Sequence, residues 1–350
     1  MSKENPRVLI IATSKNTRGG ITSVVKAHQQ CPLWEQYRCK WLETHIDKGA
    51  VHKLLYLFKS FFAYLFILPF YDLVHIHTSE PPSAVRKVPF MMLAKLFGKK
   101  TIVHFHSFSL ETTINSKYKK VYKYLFQNAD VTLVLSAYWK KEIEQTFELG
   151  NKVSILYNPC SLADRTTLYQ RKKQILYAGT VNKRKGYTDL IKAFSKVSQS
   201  FPEWQIVFAG NGEIEQGELL AKELNISDQV IFLGWISGEA KSKAFQEASV
   251  FCLPSYAEGF PMAVLDAWAY DLPIITTPVG GLPDILVDGE NALVFEPGDI
   301  NLLAQQITTI IQDETLRASI EKKSTELAQT IFAQDVICSQ LSTIYKVCLK

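Results

Sequence analysis

Short apolar runs alternate with amphipathic stretches through the first half of the chain. RVLIIAT, YRCKWLET, DLVHIHT, TIVHFHS, VTLVLS and VSILY have strand length and β-branched or aromatic character. They are too apolar on both sides to leave a wet face. Between them, residues 21–30, 54–70, 85–97 and 118–128 carry helical spacing. Strands alternating with helices predict a parallel sheet covered on both faces. Near Asn158 the period breaks into NPCSLADRTTLYQRKK, a polar, Pro-containing stretch that reads as a hinge. A second series then repeats the first: QILYAGT, WQIVFAG, VIFLG, VFCLPS, LPIITT and ALVFEP, with helical stretches at 186–200, 217–224, 237–248 and 261–270. From about residue 300 to the end the pattern is helical. The expected architecture is α/β, with the wound sheet built twice.

A length of 350 residues accommodates two cores, and 47% hydrophobic with 21% charged residues is an ordinary globular composition. The net charge of +5 conceals a division: residues 1–173 carry 26 Lys and Arg against 12 Asp and Glu, and the remainder 13 against 22. A basic first half suits phosphates, anionic lipid or nucleic acid, or is a solvated surface. No nucleic-acid motif accompanies it, so nucleic acid is set aside. The six cysteines are scattered without a Cys-x-x-Cys pair, which favours reduced thiols and a cytoplasmic location. The N-terminal segment enters a strand too soon to hold a signal peptide. Residues 54–70 form the longest apolar run; Lys59 and Pro69 interrupt it, so it reads as a core helix, with an interfacial membrane helix as the alternative.

The chemistry concentrates in residues 254–286, where a strand ends in a Gly-containing loop and a helix opens at Pro261. Such a junction presents unpaired backbone N–H groups and the positive end of a helix dipole to an anion. Glu258 stands beside it and Asp266 one to two turns into the helix, two acceptors with no obvious internal partner. Sugar or ribose hydroxyls would satisfy them, and the bland alternative is two surface acids. In YAGTVNKRKG, the cations Lys183, Arg184 and Lys185 lie between two glycines, which suits a phosphate better than an exposed loop. Gly19 and Gly20 separate the first strand from its helix in a similar junction. His104 and His106 share a strand face by the period of two, at the edge where open α/β sheets bind ligands. His75 and His77 repeat the arrangement one strand earlier, where burial is the simpler reading.

These segments together resemble glycosyltransferase family 4, the retaining enzymes of the GT-B fold, over nearly the whole chain. The resemblance rests on the Pro-Ser strand end followed by Glu258, Gly259 and Phe260, then Pro261, with a second acid separated from Glu258 by seven residues. It extends to VIFLGWIS and to the pair Gly280 and Gly281. It implies two Rossmann-like domains facing across a cleft. Residues 1–165 would form the acceptor side, 166–330 would bind the nucleotide sugar, and a C-terminal helix at 331–350 would pack back on the first domain. It implies that Glu258 contacts the donor sugar and Asp266, where the family has Glu, the ribose. Lys185 would bind the diphosphate. Thr180 replaces the usual Arg, and Lys183 or Arg184 would supply its charge. Gly234 and Ile236 would border the nucleobase, Gly19 and Gly20 would face the donor, and His106, or alternatively His104, would lie beside the donor sugar.

The implied function is transfer of a sugar, expected from a UDP-sugar, to a glycan or polyprenyl-linked acceptor in cell-surface polysaccharide synthesis. No cofactor is implied. No Asp-x-Asp pair occurs, so cations and helix N-termini would stabilise the leaving group without a metal. Lys117, Lys119, Lys120 and Lys123 interleave with Tyr118, Tyr122 and Tyr124, which suits either an anionic membrane surface, reached from the cytoplasm, or a solvated helix face. Two rival readings remain: a non-catalytic partner subunit of another transferase, and a GT-B phosphorylase or epimerase.

Overall fold

The computed structural model describes residues 6–107, 109–161, 163 and 166–350. The chain forms two compact units, one comprising Met1–Pro159 and Gln334–Lys350 and the other Cys160–Ala333. The boundary expected at residue 165 lies outside the described residues.

The first unit contains β1 (Val8–Ala12), α1 (Gly20–Gln29), α2 (Leu33–Gln36), β2 (Lys40–Glu43), α3 (Ala50–Ile67), β3 (Leu73–Thr78), α4 (Pro81–Leu96), β4 (Lys100–Phe105), α5 (Lys119–Asn128), β5 (Val131–Val134), α6 (Ala137–Phe147) and β6 (Val153–Ile155). Its sheet is parallel in the order β2-β1-β3-β4-β5-β6. Alternate side chains feed two cores, as the strand period requires. Leu9, Ile11, Val74 and Val103 join one with α3 to α6, whereas Val8, Ile10, Leu73 and Ile102 join the other with α1, α2 and the C-terminal helix.

The second unit contains β7 (Gln174–Ala178), α7 (Tyr187–Ser195), β8 (Gln205–Ala209), α8 (Ile214–Glu223), β9 (Val230–Gly234), α9 (Glu239–Glu247), β10 (Val250–Leu253), α10 (Met262–Ala269), β11 (Ile274–Thr276), β12 (Leu293–Val294), α11 (Ile300–Gln312) and α12 (Glu314–Gln329). Its sheet is also parallel, ordered β12-β11-β10-β7-β8-β9. The last helix, α13 (Gln334–Cys348), belongs to the first unit. There the Tyr37 hydroxyl donates to Ser342 O at 3.0 Å, and Ile337, Leu341 and Tyr345 are buried.

Two expectations are corrected. α13 brings Cys338 beside Cys31, with Cα atoms 6.3 Å apart, and the two form a disulfide; Cys39, Cys160, Cys252 and Cys348 stay free. The six cysteines are therefore not all reduced, because a pairing across 307 residues leaves no local spacing to read. α3 is not a core helix: only 17% of its most apolar 18-residue stretch is buried. At α5 and its N-cap the aromatic rings turn inward while the lysines are exposed. Tyr122 is fully buried and donates to Ser79 O at 2.9 Å, while Tyr118 and Tyr124 pack against the core.

Candidate functional site

The connection order sets where a ligand site forms in the second unit. The chain runs outward from β7 to β8 and β9, then returns to lay β10 on the other flank of β7. The loops leaving β7 and β10 therefore diverge at the carboxyl edge, the switch point where open α/β sheets bind ligands. After β7, Lys183–Lys185 form one 3₁₀ turn, capped by Asn182, whose Oδ1 accepts from Lys185 N at 3.0 Å. Gly186 then adopts φ 72°, and a Cβ there would lie 1.9 Å from Pro254 O. Only glycine lets these two loops approach so closely. The approach is fastened by Tyr256 N donating to Arg184 O at 2.8 Å and by Arg184 Nη1 donating to Ala257 O.

Glu258 is buried at the centre of this junction. Its Oε1 accepts from Lys185 Nζ at 2.5 Å and from Ser255 Oγ at 2.7 Å, and Arg184 Nη1 lies 3.8 Å from Oε2. Charge pairing and hydrogen bonding of this kind offset the cost of burying a carboxylate. Gly280, at φ 66°, seals the loop from behind, since its Cβ would lie 2.2 Å from Glu258 O. Gly281 N donates to Gly259 O at 2.7 Å. Phe260 is buried against Phe332, with ring centroids 5.2 Å apart, and Pro261 caps α10. Asp266, on α10, holds Lys241 of α9 through Oδ2 at 2.7 Å. Gly234 ends β9 at φ 66° and half-buried Ile236 follows it, with Trp235 49% exposed between them.

The fold thus gathers Lys183, Arg184, Lys185 and Glu258 at one edge and overturns one sequence reading, because both acids have internal cationic partners. Lys185 precedes Glu258 by 73 residues, and Lys241 arrives from a separate helix, so neither pairing appears as a local motif. Lys241 and Ser255 are the residues that sequence reasoning missed. The available signal was Ser255 three residues before Glu258, with no comparable signal for Lys241.

The first unit has its own switch point, between β1 and β3. Gly19 and Gly20 are exposed at the start of α1. On the sheet face covered by α1 and α13, His75, His77, His104 and His106 form a stack, with neighbouring ring centroids 4.1–5.5 Å apart. His77 Nδ1 and His106 Nε2 are 3.0 Å apart, and His75 Nδ1 meets the Tyr345 hydroxyl at 2.7 Å. His75 and His77 are buried, as the sequence indicates, and so is His104; half-buried His106 sits at the open end. Burial first, then the neighbouring imidazoles, drives the pKa of His75, His77 and His104 well below the usual value. Burial likewise lowers His106 to about 3 and His28 to about 4. The cluster is neutral at physiological pH. His75, His77 and His104 place a ring nitrogen each within 4.8 Å of one another, close enough to gather around a cation. His75 and His104, however, are stacked with ring planes 11° apart, so their in-plane lone pairs lie in nearly parallel planes.

Two family models match successive parts of the chain: Glycosyltransferase Family 4 over residues 33–164 and Glycosyl transferases group 1 over residues 162–327. The chain belongs to this glycosyltransferase family. Among curated relatives, an uncharacterised 41.2 kDa protein in the cps region of Klebsiella pneumoniae is 24% identical over 96% of this chain and 99% of its own length. The Staphylococcus aureus capsular polysaccharide biosynthesis glycosyltransferase CapM is 25% identical over 69% of this chain and 68% of its own. Among solved structures, sucrose-phosphate synthase from Thermosynechococcus elongatus superposes with a TM-score of 0.81 at 19% identity, covering 98% of this chain and 99% of that one. Anabaena HepE in complex with UDP-glucose superposes at 0.79 with 17% identity, covering 97% and 99%. The glycosyltransferase has the GT-B fold, with one parallel six-stranded sheet in each unit.

Proposed function

We propose that this glycosyltransferase is a metal-independent, retaining hexosyltransferase that moves a sugar from a UDP-sugar to a glycan or polyprenyl-linked acceptor in cell-surface polysaccharide synthesis. The observation that carries the reading is the Lys185–Glu258 pair at the switch point of the second sheet. Without a donor, Glu258 holds the Lys185 ammonium at the carboxyl edge. A diphosphate entering there takes up the remaining Lys185 N–H groups and the charge of Lys183 or Arg184. As the sugar–phosphate bond lengthens, negative charge grows on the leaving oxygen, and fixed cations stabilise that change without a metal. Glu258 accepts from the sugar hydroxyls. Asp266 accepts from ribose through Oδ1, its other oxygen being held by Lys241. Gly234 and Ile236 border the base, and Gly19 and Gly20 face the phosphates. His106, neutral through burial, offers the reacting sugar a hydrogen bond rather than a charge. No side chain serves as nucleophile; the leaving phosphate takes the acceptor proton. HepE, a structural neighbour, holds UDP-glucose, and CapM is named for capsule synthesis.

The location that accompanies this reading is the cytoplasm, peripheral to the inner face of the membrane. The Cys31–Cys338 bridge argues for an oxidising compartment. Alkylation in denaturant without reductant, on protein taken directly from cells, decides the matter, because both cysteines are buried in the fold: modification of both supports the cytoplasm, and protection of both removes it. A second reading, a partner subunit that keeps the fold without turnover, is favoured by Lys241 already neutralising Asp266. A thermal-shift screen of nucleotide sugars, followed by donor hydrolysis, separates the two, because a ligand bound to the native state raises its stability. A UDP-sugar that stabilises the protein and is hydrolysed supports transfer. Stabilisation without hydrolysis or transfer, or no response to any nucleotide sugar, supports the subunit and sinks transfer.

A further inference from the structure

α3 carries apolar side chains on every side, interrupted by His52, Lys53, Lys59 and Ser60, yet the fold buries only one stripe of it. Ser60, Tyr64 and Leu68 face the core, and the Tyr64 hydroxyl donates to Phe90 O at 3.0 Å. The opposite stripe of Leu55, Phe58, Phe62 and Phe66 is 55–72% exposed. A helix with so broad an apolar surface in water lacks part of its environment. The neighbouring helix extends the surface: α4 exposes Met92 at 56% and Leu96 at 79%. The helices are joined by a Phe61–Phe90 edge contact with ring centroids 5.6 Å apart, and Lys99 Nζ donates to Pro69 O at 3.0 Å where both helices end.

Charge identifies the occupant. No Asp or Glu occurs between Asp47 and Asp72, or between Glu80 and Glu111, the segments that contain both helices. Lys53 and Lys59 stand exposed among the apolar residues of α3. A second copy of this face would set lysine against lysine with no acid to answer it. An anionic bilayer surface answers both features, because the stripe enters the interface while lysine stems lie along it and their ammonium groups reach headgroups. Spanning is ruled out by the stripe through Tyr64 and Leu68, which would have to leave the core.

We infer that α3, with the exposed end of α4, inserts tangentially into the interface of an anionic membrane and that this surface, rather than the lysines of α5, anchors the protein. The inference rests on the peripheral location proposed above and gives it a surface. Vesicle binding needs no donor and no turnover, so its failure leaves the transfer reading intact, and failed transfer leaves the anchor intact.

The full-length protein is sedimented with vesicles of phosphatidylcholine containing about one third phosphatidylglycerol, at low and high salt. Wild type should bind at both, since apolar insertion is not screened. The triple variant Leu55→Gln, Phe62→Gln, Phe66→Gln should lose at least tenfold in partitioning while keeping its melting temperature, because all three side chains are exposed. Lys53→Glu with Lys59→Glu should weaken only the low-salt binding. Phe62→Trp should shift its emission to the blue on adding vesicles. Wild type that stays in the supernatant overturns the inference, as does a triple variant that still binds fully. A wild-type dimer dissociated by the triple variant in sedimentation velocity, without vesicle binding, assigns the face to self-association and also overturns it.

Discussion

The two sheets share strand number and parallel sense, and each has a switch point at its carboxyl edge, yet their electrostatics are opposite. In the second unit the edge is charged, with Lys185 and Arg184 against Glu258 and, nearby, Lys241 against Asp266. In the first unit the sheet carries imidazoles stripped of charge by burial. The scaffold therefore does not set the chemistry. A glycine that lets two loops meet over a carboxylate makes one surface ionic, and a run of alternate histidines under two helices makes the other neutral. In the proposed reading the first arrangement would suit an anionic leaving group, and His106, at the open end of the second, would offer a hydrogen bond to an uncharged sugar.

The comparison is tested most severely at Lys185. Lys185→Ala removes the cation nearest the proposed leaving group, and turnover should fall roughly a hundred- to a thousandfold, as when a single transition-state donor is lost. Single-turnover rates with a saturating donor check this, and an unchanged rate removes the leaving-group role. Next in size is the separation of the two acids. A hydrogen bond to a charged group is worth about 1.5–3 kcal/mol, so Asp266→Ala should weaken UDP and UDP-sugar about 10- to 150-fold. Glu258→Gln should impair turnover and the sugar nucleotide more than UDP, which loses only the positioning of Lys185. Calorimetry showing UDP bound equally by wild type and Asp266→Ala would end the ribose assignment.

The neutral cluster predicts a pH effect of definite sign. Unfolded histidine takes a proton near 6.5, whereas folded His28 does so only at about 4 and His106 at about 3. Below 6.5 the unfolded state binds more protons, so stability is complete above that value and falls as pH drops toward 4. At pH 5.5 the loss is about 1.4 kcal/mol for each of these two residues relative to pH 7.5. Urea midpoints at the two pH values measure it, and equal midpoints contradict a neutral stack. The smallest expected effect is that of chelation. Transfer should persist in EDTA, and complete loss that manganese restores would show that a metal does what the cations are proposed to do.

Much of the architecture was legible because buried parallel strands announce themselves. VIFLG coincides with β9, Val230–Gly234, and the break after Asn158 lies beside the passage between units. α6 went unread because only Trp139, Ile143 and Phe147 face inward, a stripe one residue wide within a charged segment. Ser136, whose side chain accepts from Trp139 N, was its visible start signal. At the site, the acids and the loop cations were legible as local motifs, but their pairing was not. Glu258 finds Lys185 through a crossing of the sheet, and His75 finds Tyr345 across 270 residues. Outward α3 was misread for the reverse reason: its pattern is that of a buried helix, and the sequence carries no sign that the fold covers one side alone.

The return of α13 to the first unit bears on how the chain is made. Val8 and Ile10 on β1 share a core with Ile337, Leu341 and Tyr345, residues from the opposite end of the polypeptide. At roughly 5–20 residues per second, the ribosome spends on the order of tens of seconds on Cys160–Ala333 before it reaches the helix that covers that face. During that interval the second unit has its whole sequence available while the first does not. The nascent chain therefore carries an apolar sheet face covered only by α1 and α2 until Gln334–Cys348 emerge, and the unit whose strands are made first is completed after the second unit's whole sequence has been made.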